Sequence, residues 1–375
     1  MRIVARDGQG KAKGLSWLPG LLVATVVSCT AAVALAAPPP RFPPGSVWHQ
    51  RIDAAPVHPS STSMLNTLDG LGGWGAGGNF QIDFSFHVRK LAPGENPPTY
   101  PVVQRKLDPE PYYLPDCEPL GTQMPVPADA QFEGQVGLTC PNLGGDCHLI
   151  VQDDNLLYEL YAGNLSGGEL DALCLAVWDL NVIYPPEGRG DHCTSADAAG
   201  FPIAPLLFNA DEVAAAVAEG GDSDLGHAIR FILPNDHMAN DVSLGGSSGR
   251  LYVRPATHAG GPSGPVGSVP YGVRMRLKSS FDMNAYNAAE QAILRTMQRY
   301  GIVLADGGNI ALTAQSDDDT TAKWATLNID SHSLYGVAVT DFEVIDTGPR
   351  IAETYDCVRS SVVPGQGLFA DGFED

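Results

Sequence analysis

Basic residues are scarce in this chain. Of 375 residues, 22 are Lys or Arg and 43 are Asp or Glu, a formal net charge of −21. Residues 1–36 hold Arg2, Arg6, Lys11, Lys13 and Asp7, so the remainder stands near −24. Such a surface repels nucleic acid and anionic membranes, and no basic arm offsets it. Nucleic acid is therefore not an expected partner. After residue 36 there is no run of the ~20 apolar residues that a membrane-crossing helix needs, so no membrane span is expected. P-loop, HExxH, EF-hand and GxGxxG patterns are also missing. Neither a CxxC pair nor two histidines at ligand spacing occurs, and no cofactor or metal is expected. Asp153-Asp154-Asn155 and Asp317-Asp318-Asp319 read as a turn and a helix start before they read as Ca²⁺ ligands. "GGSSG" (245–249) has the letters of a nucleophile elbow, but a loop precedes it and a strand follows, so Ser247 is not assigned that role.

What is present at the start is a basic stretch, an apolar run from Leu15, and Ala34-Leu35-Ala36 as a small-x-small cleavage site. Residues 1–36 read as a secretory signal peptide, which places the protein outside the cytoplasm, in the periplasm or beyond. A rival reading takes Val26-Val27-Ser28-Cys29 as a lipoprotein box with Cys29 lipidated. The apolar residues that follow Cys29 argue against a polar tether there. Residues 37–46, "APPPRFPPGS", form a proline-rich linker that cannot pack as helix or interior strand. Six cysteines remain beyond residue 36, an even number that suggests up to three disulfides in an exported chain. Cys140 and Cys147 bracket the turn-forming "PNLGGD" and are expected to pair.

Strand patterns dominate the rest. "FQIDFSFHV" alternates, with Phe80, Ile82, Phe84 and Phe86 on one face. "HLIVQDDNLLYELYAG" reads as a hairpin: His148–Gln152, a turn at Asp153-Asp154-Asn155, and Leu156–Tyr161. "ALCLAVWDLN" and residues 228–233, 251–254 and 273–278 add strands. In the last, Val273, Met275 and Leu277 face in while Arg274, Arg276 and Lys278 face out. "GIVLADGGNIALT" reads as strand–turn–strand about Asp306-Gly307. Helix is sparse. "NADEVAAAVAEGG" has Asn209 as N-cap and Gly220 past its end. "NAYNAAEQAILRTMQRYG" carries a stripe of Tyr286, Ala289, Ile293, Met297 and Tyr300, with Asn284 as cap. "DDDTTAKWATL" suits a short helix. Many short strands and few helices predict a mainly β fold, a jelly-roll-like antiparallel β-sandwich, as one domain over 47–350 with a tail over 351–375.

Polar residues on open strand faces supply the candidate chemistry. Glu159 and Asp179 lie off the core faces of their strands, beside Tyr161 and Trp178, whose rings suit sugar faces. His227 and His258 stand at strand edges with Arg230 and Arg254 nearby. Asp197 lies in "TSADAAG", which reads as one capped helical turn, Thr194 to Gly200. Paired carboxylates suit glycoside hydrolysis; a histidine with an arginine for uronate suits elimination. Glu159, Asp197, His227 and His258 are thus the catalytic candidates. Arg230, Arg254, Tyr161, Trp178 and Asp179 are the substrate-binding ones. The basic surplus over 225–300 is a candidate anion patch. The expected function is a secreted glycan-active enzyme, hydrolase or lyase, whose partner is a polysaccharide or cell-wall glycan. The alternatives are a carbohydrate-binding or cell-surface module and a structural exported protein.

The ordered segments "APVHPSS", "LYELY", "TSADAAGFPIAP", "DEV", "HAIRF", "VRPATH", "GVRMRLKSSFD", "YGIVLADGGNI" and "DFEVIDTG" span about residues 46–348. Together they resemble an uncharacterised family of secreted bacterial proteins. The resemblance implies a single domain and carries over no catalytic residue. "HAGGPSGPVGSVP" departs from the usual members after His258. The ending "GLFADGFED" resembles a short C-terminal ending on exported proteins of some gammaproteobacteria.

Overall fold

A computed structural model describes residues 39–106, 110–141 and 147–360. Residues 1–36, expected as a signal peptide, with Cys29 among them, and the "GLFADGFED" ending lie outside the described residues. The architecture is mainly β. Its largest sheet has six strands in the order Ile82–Phe86, Leu312–Gln315, Ile229–Leu233, Ile302–Gly307, Arg274–Leu277, Phe342–Val344. A second sheet runs Val88–Lys90, His148–Asp153, Leu156–Tyr161, Cys174–Asp179, and a third Gln123–Pro125, Thr99–Gln104, Glu169–Ala172, Asn164–Ser166.

The sheets are mixed, where an antiparallel jelly roll was expected. Parallel pairs join Ile82–Phe86 to Leu312–Gln315, Ile229–Leu233 to Ile302–Gly307, Val88–Lys90 to His148–Asp153, and Thr99–Gln104 to Glu169–Ala172. The reason shows at "GIVLADGGNIALT". Its two strands do not pair with each other, because Ile229–Leu233 lies between them, parallel to one and antiparallel to the other. Ile229, Arg230, Phe231 and Leu233 are all buried. A strand buried on both faces belongs in the middle of a sheet, and a local turn signal does not override that burial. The 148–161 hairpin is in the expected register, with Ile150 opposite Glu159.

Arg274 corrects the expected strand face. It is buried, and its guanidinium donates to the carbonyls of Tyr300 (2.8 Å), Val47 (3.0 Å) and Gln50 (2.9 Å). Residues 46–53, a 3-10 turn at Val47–His49 followed by chain outside any strand, cover this side of the sheet, and the guanidinium bonds carbonyls that no ladder reaches. The described part of the proline-rich stretch is likewise no free linker. Phe42 is buried edge-on against Trp178 and Tyr184.

Helix Ala210–Glu219 has the expected Asn209 cap, reciprocated by Glu212. Helix Ala288–Arg299 is capped by Asn287 instead of Asn284. The residue three past Asn287 is Glu290, which returns a bond to the cap backbone; the residue three past Asn284 offers no carboxylate. Helix Ser61–Gly70 has no side-chain cap bond at Ser60, so nothing local announces it. "DDDTTAKWATL" forms only a 3-10 turn, Trp324–Leu327.

Two apolar clusters hold these layers. The larger contains an aromatic knot in which Trp74 stacks on Phe80 at 4.2 Å and meets Phe231 and Phe342 edge-on. The smaller includes the disulfides Cys117–Cys174 and Cys140–Cys147, the second being the expected pair. Cys193–Cys357 completes the set. It ties in a segment expected as tail: Ile351–Ala352 pairs with Leu251–Tyr252, and Val358–Arg359 with Gly190–Asp191. Replacing Asn287 by Ala is expected to cost about 1 kcal/mol in thermal unfolding. Asn284→Ala is expected to stay within about 0.5 kcal/mol, and a larger loss there would return the cap to Asn284.

Candidate functional site

The loop after Cys193 runs across the end of the large sheet. Asp197 is fully buried and faces Arg230 of strand Ile229–Leu233. Nε donates to Oδ2 at 3.0 Å and Nη2 to Oδ1 at 3.1 Å, a fork-to-fork pair. Asp197 is therefore an anchor, not a proton-transfer group. The rest of the loop is irregular and not a capped helical turn. The Thr194 hydroxyl donates to the Asp197 carbonyl at 3.2 Å, and the Ser195 hydroxyl donates to the Phe201 carbonyl at 2.6 Å. Gly200 does turn left-handed, at φ +76°, and a Cβ there would lie 2.1 Å from Thr257 Oγ1. Only glycine lets the "TSADAAG" and "RPATH" segments pack this closely. Their seam is bonded throughout: Thr257 N–H to Ala199 O (3.0 Å), Thr257 hydroxyl to Cys193 O (2.8 Å), and the His258 ring to Ala198 O (2.6 Å).

Glu159 is also spent on structure. It is fully buried. Oε1 accepts from the N–H groups of Ile203 and Ala204, both at 2.8 Å, and Oε2 from Trp178 Nε1 at 3.0 Å. Burial pushes its carboxyl up to about 7, while these donors and not a substrate hold it. His227 sits elsewhere, under the entry segment, 2.8 Å from Arg41 Nη2 and 3.3 Å from Glu212 Oε2. Its Nδ1 donates to Ala228 O at 2.7 Å, and burial holds its pKa below the ordinary value. Asp179, buried at a strand end, accepts the Asn181 N–H at 2.9 Å and donates its own N–H to the Tyr184 hydroxyl. The expected catalytic quartet is thus not assembled: three of its members are internal fasteners.

His258 differs. With Nδ1 donating to Ala198 O, Nε2 is the ring's acceptor, and among the described residues it has no partner. Burial lowers its pKa, against the opposing pull of the Glu353 and Asp116 carboxylates, so the ring is neutral at neutral pH. It lines a cavity of about 520 Å³. The expected sugar-stacking ring Tyr161 lines the same cavity, parallel to Tyr113 with centroids 6.5 Å apart. Asp116, Asp306, Arg250 and Tyr355 complete the working surface. Asp116 Oδ2 accepts the Thr194 N–H at 2.8 Å. Tyr355 is half-exposed, its hydroxyl bonded by Arg250, whose guanidinium lies 5.5 Å from the ring centroid.

Trp178 and Arg254 line a different cleft of about 820 Å³, with Phe42, Trp48 and Phe201. Arg254 is paired there with Asp191. The bonded seam divides the two hollows: Ala198 and His258 face one, Gly200 and Arg254 the other. The basic surplus forms no anion patch. Arg230, Arg276 and Arg299 pair with Asp197, Glu343 and Asp224, while Arg274, Arg295 and Lys278 bond carbonyls.

Sequence reading missed Tyr113, Asp116, Arg250, Asp306 and Tyr355. The only local signal among them is Asp116, next to a disulfide cysteine in loop-rich chain. The others come from segments far apart in sequence. No family model, no curated protein and no solved structure matches this chain.

Asp197→Asn leaves the Arg230 charge buried without its carboxylate. A loss of about 3–5 kcal/mol is expected in urea unfolding. Glu159 sets a pH trend. Its folded pKa lies above the unfolded one, so its contribution is whole below about pH 4.5 and is lost as pH rises toward about 7. Urea unfolding of Glu159→Gln should therefore improve relative to wild type across that window, whatever the offset between the two proteins. A flat difference would place the Glu159 pKa back in the ordinary range.

Proposed function

We propose that this protein is a secreted glycan-active enzyme, with its site in the tyrosine-lined pocket beside His258. The observation that carries the reading is the fixed tautomer of His258: a neutral ring on the pocket wall with its acceptor nitrogen unengaged. A base of this kind removes a proton from water or a sugar carbon near neutral pH. Tyr113 and Tyr161 offer ring faces for a sugar.

Charge decides between hydrolysis and elimination. Elimination needs a cation to hold the uronate, and the pocket lining has one, Arg250, which donates to the Tyr355 hydroxyl, against three carboxylates, Glu110, Asp116 and Asp306. With a net charge of −21, a polyanionic substrate is repelled. Hydrolysis of a non-acidic glycan fits better. In that reaction water attacks the anomeric carbon as its proton passes to His258 Nε2. The glycosidic C–O bond breaks, the leaving oxygen takes a proton from solvent, and His258 returns its own to solvent; the Asp116 carboxylate on the pocket wall favours the positive charge that develops at the anomeric carbon. One observation favours a second reading, a binding module: the carboxylates Glu159 and Asp197 are tied up in buried bonds.

The test is a panel of neutral and uronic polysaccharides incubated with the purified protein. New reducing ends from a neutral or basic polymer are expected, reduced at least about 100-fold by His258→Ala, the range of a lost general base. Retardation in affinity gels without new reducing ends would leave the binding module. Unsaturated uronate products would overturn the hydrolytic assignment.

A further inference from the structure

We propose that the cleft of about 820 Å³ bordered by residues 42–55 is a second binding site, which takes a monocarboxylic acid with an apolar body and draws its carboxylate toward Arg274. This site lies across the bonded seam from His258, and it stands or falls apart from the glycan reading.

Arg274 supplies the charge. It lines the cleft and is only 3% exposed. Arg230 and Arg189 are buried as deeply, and each has a carboxylate, Asp197 at 3.0 Å and Glu118 at 2.8 Å. Arg274 has no ion pair among the described residues. Its three bonds go to the carbonyls of Tyr300, Val47 and Gln50. Burial alone moves its pKa, down to about 10, so the guanidinium is still charged at neutral pH. Tyr300 ends helix Ala288–Arg299, and its carbonyl adds the negative end of a helix dipole, about half a charge. Carbonyl dipoles hold the cation without cancelling it. Three of its five N–H groups are used, which leaves one on Nη1 and one on Nη2. A carboxylate supplies both the acceptor and the missing counter-charge.

The other charged groups of the lining are Arg51, Arg254 and Asp346. Arg51 pairs with Asp53 at 2.7 Å, and Arg254 pairs with Asp191. Asp346 is exposed and accepts the Gly348 N–H at 3.1 Å. A carboxylate in water acts through a high dielectric, whereas a buried guanidinium acts through a low one, so Arg274 decides the sign inside the cleft. The net charge of −21 repels anions from a distance, but beyond about 8 Å it is screened at physiological salt. One carboxylate on an otherwise apolar molecule meets this pattern; a polyanion does not.

The rest of the lining suits the apolar body. Trp48, Trp178 and Phe201 form its buried side. Ile183, 48% exposed, stands at the cleft with Pro185 and Pro186, both exposed. A hollow of this size, mainly apolar with a few placed polar groups, is the usual form of a small-molecule site. An alkyl or aryl body laid along it takes Ile183 and the two prolines out of water, which the hydrophobic effect favours.

The experiment measures wild-type affinity for decanoate and for decanol, at neutral pH and below the concentration at which either aggregates. Tryptophan fluorescence follows binding through Trp48 and Trp178, with calorimetry as the second readout. Decanoate is expected to bind about tenfold tighter, which corresponds to about 1.4 kcal/mol. Arg274→Met should abolish that preference and keep the decanol affinity. Ile183→Asp leaves Arg274 in place at an exposed position and should weaken both ligands; it serves if Arg274→Met fails to fold. Equal wild-type affinity for the two ligands overturns the role of Arg274 and with it the acid as ligand. Unchanged binding by Ile183→Asp puts the ligand outside the cleft and overturns the site. Binding of neither ligand overturns the proposal outright; if the protein then sediments as a dimer, a second copy covers the apolar wall instead.

Discussion

The buried pair between Asp197 and Arg230 holds the pocket-bearing end of this molecule in place. Arg230 projects from a central strand of the large sheet, and Asp197 meets it with two parallel bonds. Through that contact an irregular loop is fixed to a central strand of the large sheet. Everything that shapes the pocket then follows. The Ala198 carbonyl is positioned to orient His258, the Thr194 N–H to hold Asp116, and the Ala196 carbonyl to take a bond from His148 at 2.9 Å. A buried ion pair is costly to form and more costly to break from one side. It is a poor source of net stability and a good source of a single geometry.

Elements with a local cause were legible in the sequence. The 148–161 hairpin has alternation and a turn of Asp and Asn. The Ala210–Glu219 helix has its capping box, and Cys140 and Cys147 are seven residues apart. What could not be read is non-local. Nothing within "LADGGNIALT" says that a strand from seventy residues earlier will enter between its two halves. Arg274 looks like a solvent-facing residue until the chain at 46–53 is laid over it.

The site shows the same division. Glu159, Asp197 and His227 are the residue types that catalysis uses, at strand edges where catalysis happens. Each is occupied by a partner that sequence alone does not bring near: Ile203 and Ala204, Arg230, and Arg41 with Glu212. His258 was legible as a candidate. Its distinction from His227 rests on one bond, because both rings donate through Nδ1 to a carbonyl, but only His227 has a guanidinium at its other nitrogen.

The disulfide between Cys193 and Cys357 spans 164 residues and ties the segment bearing Tyr355 to the loop bearing Thr194. The pocket therefore draws its walls from early, middle and late parts of the chain, and no N-terminal portion contains it. The last strand of the large sheet, Phe342–Val344, precedes Tyr355 in the chain, so all six strands of that sheet are in hand before the hollow has its last wall. The hollow is complete only once the Tyr355 segment has docked.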